Sequence, residues 1–134
     1  MQTNTQSLIK SIECGNFEAN SMINVLTYML DFLSDAFFMK ISFNRFCKNT
    51  GATTDDVIRN EQISTGVSQI IAMVSKTKIE IESVESSVLN LMLLKKITQK
   101  DMIDAKKLIS GIKEMIKKHE EIKWFALEHK MEDI

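Results

Sequence analysis

Of the side chains most suited to acid–base or metal chemistry, this 134-residue sequence has only two histidines and two cysteines. Its two histidines, His119 and His129, stand ten residues apart, a spacing that does not place them on one helix face. No carboxylate precedes either at the Glu-x-x-His spacing of a helical di-metal site. Cys14 and Cys47 lie outside any CxxC pattern, so two reduced thiols are expected, not a zinc knuckle or a disulfide framework. "TGATTDD" holds a glycine, but no Gly-Lys-Ser/Thr follows to cradle a phosphate. No Ser or Cys occupies a nucleophile elbow. Asp31 and Asp35, one turn apart in an apolar stretch, could form a buried acidic pair. A solvent-facing position, or pairing with Lys10 or Arg45, is the simpler expectation. The sequence therefore predicts no catalytic residue, no cofactor-binding residue and no metal ligand, and the chain reads as non-enzymatic.

Three other groups could work by contact. In "FCKNTGATTDDVIRN", residues 46–60, the small Cys47, then Gly51, then Val57 match the spacing of a helix-turn-helix bend. The second helix of that motif offers its first residues to base edges. Here those are Thr54, Asp55 and Asp56, and carboxylates repel a polyanion. From Lys95 to Lys118 run eight lysines against three acids, with Lys106, Lys113 and Lys117 on one side of a helix. This basic face could meet an acidic partner or a phosphate backbone, although it is also the pattern of a solvated helix face. It contains no arginine, the residue best suited to specific phosphate recognition. Near the end, "IKWFALEHKMEDI" carries the only tryptophan. Adjacent Trp124 and Phe125 would leave one ring partly outward as a partner anchor, unless the segment simply closes a bundle.

The elements that must position these groups read as helices. Residues 5–14 form a short amphipathic pattern on Leu8, Ile9 and Ile12, with Gly15 as a C-terminal stop. A second helix is expected from about Phe17 to Met39. Met22, Val25, Leu26, Met29, Leu33, Ala36 and Phe37 recur there in three- and four-residue steps. Ile23, Leu30 and Phe38 widen that stripe until the helix is apolar on most sides, which suits a bundle centre or a dimer interface. Thr53 or Thr54 caps the next helix, with Asp55 and Asp56 on its positive end. From Ile63 a strict four-three spacing continues through Val67, Ile70, Val74, Thr77, Ile81, Val84, Val88 and Leu91, a heptad seam. One unbroken helix from about Asp55 to Lys95 would be roughly 60 Å long. "ITQKD" reads as a turn with Thr98 capping and Asp101 in the third position of a partial capping box. The last helix is expected from about Lys100 to Lys130, an antiparallel neighbour of the long one.

Composition agrees with a folded helical protein: 44% hydrophobic, 26% charged, no proline and four glycines. Six of the seven phenylalanines fall before residue 47, which predicts an aromatic core in the first third. The net charge of −1 is not that of a nonspecific nucleic-acid binder. The N-terminus lacks a signal-peptide pattern, and Asp31 and Asp35 would oppose membrane insertion of the apolar helix by about 2.5–3.5 kcal/mol each.

The reading is a single all-α domain of four to five helices. Residues 1–50 are aromatic-rich, and about 55–134 form a long C-terminal antiparallel helical hairpin with a coiled-coil-like seam. The expected function is a cytoplasmic protein–protein interaction module, a subunit, chaperone, adaptor or inhibitor of a larger assembly. Its partner would be another protein or a second copy, along Ile63, Val67, Ile70, Val74, Ile81, Val84, Val88 and Leu91. The alternative is a small nucleic-acid-binding regulator using residues 46–60 or the lysine face. No membrane partner is expected. The Lys-, Ile- and Asn-rich, proline-free composition points to a bacterium, plasmid or phage.

Overall fold

The computed structural model describes Lys10 and residues 19–125, and four helices lie within residues 19–125. They are α1 (Ala19–Thr50), α2 (Thr54–Arg59), α3 (Glu61–Leu93) and α4 (Gln99–Glu121). No strand occurs among the described residues, so the fold is all-α. Of the helix expected over residues 5–14 only Lys10, itself helical, is described; Cys14 and His129 lie outside the described residues.

Helix α1 does not stop at Met39 but runs eleven residues further to Thr50. Its core stripe continues in four-three steps from Ala36 to buried Lys40, half-buried Phe43 and buried Cys47, so nothing ends the helix earlier. The stop comes at Gly51, whose φ of +68° is the left-handed turn that glycine adopts without a Cβ clash. The Ala52 N–H then donates to the Cys47 carbonyl at 3.1 Å, closing a Schellman-type end.

The single helix expected over residues 55–95 is two. Asn60 breaks it with an extended backbone, φ −82° and ψ 98°. Its own N–H closes α2 on the Val57 carbonyl, while its Oδ1 accepts from Ile63 N–H at 3.2 Å to start α3. A short polar side chain that competes for backbone hydrogen bonds favours such a cap over a helix interior. At α2 the cap is Thr53: its Oγ1 accepts from Asp56 N–H, and Asp56 Oδ2 accepts from Thr53 N–H at 3.0 Å. Thr98 caps α4 by accepting from Asp101 N–H at 3.1 Å.

Helices α3 and α4 form the expected antiparallel hairpin, with Lys78 bridged to Glu120 and Lys113 to Glu85 across it. Helix α1 completes the bundle and runs parallel to α4. Leu30 meets Gly111, Leu33 meets His119, and Lys40 meets Ile122. The main core is aliphatic and methionine-rich. Met22, Leu26, Met29 and Leu33 of α1 pack with Ile81, Val84, Val88 and Leu91 of α3 and with Ala105, Ile109 and Ile112 of α4. The expected aromatic core is thus corrected: Phe38 and Phe46 are exposed, and Phe32, Phe37 and Phe43 are only half-buried. At the close α1–α4 approach a side-chain carbon on Gly111 would press on the Leu30 methyls, and Phe37 of α1 packs edge-on against His119 of α4.

Helix α4 has 23 residues against 32 in α1 and 33 in α3, so it falls short of both by roughly 13–15 Å. A second cluster fills the space beyond its end. Cys47, Val57, Val67 and Trp124 are buried there, with Phe43, Ile58, Ile70 and Ile71 packed against them.

Candidate functional site

The expected chemistry-bearing residues separate in space. His119 is buried and its Nε2–H donates to the Leu33 carbonyl at 2.8 Å, with Phe37 edge-on at 5.5 Å. It joins α4 to α1. Asp31 and Asp35 do not form a buried pair; both are exposed, and neither makes an ion pair with Lys10 or Arg45. Among the described residues, no three His, Cys, Asp or Glu side chains converge as metal ligands. Burial raises the Cys47 thiol pKa, which keeps it protonated.

The 46–60 stretch folds around the spacing that singled it out. Cys47 and Val57 meet in the second cluster and lock α2 against the end of α1. Helix α2, however, has only six residues, and both Asp55 and Asp56 are exposed on it. Hydrogen bonding to the Thr53 backbone N–H, then its side chain, holds the Asp56 carboxyl below its ordinary pKa, with a smaller pull from Arg59. The element that would enter a groove is therefore short and anionic at its tip.

The seam divides into two parts. Ile81, Val84, Val88 and Leu91 are buried in the main core against the chain's own α1 and α4. Val67 is buried in the second cluster with Ile70 at its edge, Val74 is half-buried beside the main core, and Ile63 is exposed. Of the basic face, Lys106, Lys113 and Lys117 are all exposed, and Lys113 donates to Glu85 at 2.6 Å. Lys106 and Lys113 flank an apolar groove between α3 and α4, floored by Val88, Met102 and Ile109.

Trp124 and Phe125 do not continue α4, which ends at Glu121 and not near Lys130. Buried Trp124 packs on Phe43 at 5.6 Å, and Phe125 is half-buried beside it, so the tryptophan closes the fold instead of standing outward. Two α1 side chains hold this segment, and sequence reading passed over both. Lys40, only 2% exposed, donates to the His119 carbonyl at 3.0 Å and the Ile122 carbonyl at 2.9 Å. A cation at the negative end of α4 complements its dipole. Asn44 donates Nδ2–H to the Lys123 carbonyl at 2.8 Å and accepts from Phe125 N–H at 2.7 Å. The available signal was the four-residue step from Ala36 to Lys40, which puts a lysine on the core stripe. Beside this clamp a cleft of about 220 Å³ opens, lined by Val74, Ile116 and Trp124, with Lys78 and Glu120 also at its wall.

The outer face of α1 departs from a solvated helix surface. Phe38 is 72% exposed and Phe46 65%, with Met39 and Tyr28 also exposed. A second apolar surface lies at the α3–α4 turn, where Leu93 and Leu94 stand out. By length and composition α1 could cross a membrane, yet its most apolar side faces α3 and α4 within the bundle. No protein family, curated protein or solved structure matches the chain.

Proposed function

We propose that the chain is a non-enzymatic, protein-binding helical module that docks through the outer face of α1. The observation that carries this reading is the exposure of Phe38 and Phe46, with Met39 and Tyr28, on the solvent-facing side of a helix whose opposite face is buried. Single exposed apolar residues are ordinary on any protein surface. Aromatic side chains gathered on one face are what interfaces enrich. The seam residues Ile81, Val84, Val88 and Leu91 are engaged within the chain, which supports a contact on α1 over one on that part of α3. The acids at the start of α2 and the Lys113–Glu85 pair give the nucleic-acid alternative no comparable support. Exposed Asp31 and Asp35 on the same face suit a water-filled compartment such as the cytoplasm.

The test is capture from a nuclease-treated lysate of the native host with Phe38→Asp/Phe46→Asp as the control. Both positions are exposed, so circular dichroism should match the parent while capture of another protein or of untagged chain is lost. Unchanged capture by the variant overturns the reading. So does retention on a polyanion with log K falling linearly against log salt.

A further inference from the structure

Building on that docking face, we infer that its occupant is a second copy of this chain, packed antiparallel on α1 about a two-fold axis at Phe38. Tyr28, Asp31, Asp35, Phe38, Ser42 and Arg45 are all exposed and follow three-four-three-four-three steps. This is a second seam on α1, opposite the one that faces the core. It extends over about 26 Å of helix at 1.5 Å per residue.

Its charges are ordered about the centre. Asp31 and Arg45 each stand seven residues from Phe38, two turns to either side. None of Asp31, Asp35 and Arg45 has an ion pair with the described residues of its own chain. In a parallel pair each residue meets its own copy, so Asp31, Asp35 and Arg45 would all face like charges. In an antiparallel pair centred on Phe38, Asp31 faces Arg45 of the partner subunit, and symmetry repeats that contact at the other end. Asp35, three residues before the centre, faces Ser42 of the partner subunit, four residues after it. The two Phe38 rings meet at the axis, and Met39 and Phe46 cover one flank. The paired charges select antiparallel packing over parallel, as opposed charges do across protein interfaces generally.

Sedimentation equilibrium of the full chain tests this directly. The parent is expected at twice the 15.3 kDa chain mass. Asp31→Arg or Arg45→Asp alone should raise the dimer dissociation constant about tenfold or more. The combined exchange Asp31→Arg/Arg45→Asp should return it to within about threefold of the parent, because the attraction is rebuilt with its sign reversed. Circular dichroism checks that each variant keeps its fold. A parent mass of 15.3 kDa at every concentration, or a double variant as weak as the singles, overturns the inference. A monomer whose capture of another protein still depends on Phe38 and Phe46 overturns the second-copy inference alone. A monomer whose capture ignores both residues overturns the docking face as well.

Discussion

Lys95 carries a backbone cost that its side chain does nothing to relieve. It sits at φ +57° just past α3. Its N–H donates to the Met92 carbonyl, and the Lys96 N–H donates to the Leu91 carbonyl, the two bonds of a Schellman end. A left-handed conformation costs an L-residue about 1–2 kcal/mol, while glycine's larger unfolded-state entropy returns about half of any gain. Lys95→Gly should therefore raise unfolding stability by about 0.5–1 kcal/mol in urea titrations. Asp56 makes the complementary point about charge. Its folded pKa lies below the ordinary 3.8 because the carboxylate accepts from the Thr53 backbone. The ionised form is thus favoured by folding. Its stabilisation is complete above the ordinary value and is lost as pH falls through the lower folded value. Urea midpoints of the parent and Asp56→Asn should differ at neutral pH and converge on acidification below pH 3.8.

At the scale of elements, α4 is too short for the bundle, and α1 makes up the difference with two polar side chains. Lys40 and Asn44, four residues apart, hold segment 122–125 so that Trp124 covers Cys47, Val57 and Val67. Lys40→Met keeps the apolar stem but leaves the His119 and Ile122 carbonyls without that donor, at a cost of about 1–3 kcal/mol. Because Trp124 is the sole tryptophan, release of the segment should shift emission to the red before the main helical signal is lost. Emission that stays blue until global unfolding would show that the clamp does not hold the segment.

For the whole molecule, the heptad phase decides which face of α3 is interior. Ile81 is 2% exposed and Ile79, two residues earlier, 71%. Ile81→Ala should cost about 2–5 kcal/mol through the lost contacts and the cavity left behind. Ile79→Ala should stay within about 0.5 kcal/mol, and urea denaturation of both variants separates the two faces. The same contrast on α1, core stripe against outer seam, separates what stabilises the protomer from what its surface offers a partner.

The sequence by itself determined the all-α class, the antiparallel α3–α4 hairpin, a threonine cap ahead of Asp55 and Asp56, the cap at Thr98 and the heptad periodicity of α3. Each follows from local backbone chemistry or from helical periodicity, and both are written in neighbouring residues. The end of α1, the break at Asn60 and the end of α4 were not legible. The first two rest on single local turns and caps that interrupt a continuing apolar pattern, while the segment after α4 is held by Lys40 and Asn44, distant in sequence. Apolarity also misled in the aromatic first third. Hydrophobic residue type places a side chain on a helix, but only the packed bundle decides which side of α1 is covered. That decision buried Lys40, because the last α4 carbonyls need a cation, and left Phe38 in water on the side of α1 opposite the core stripe.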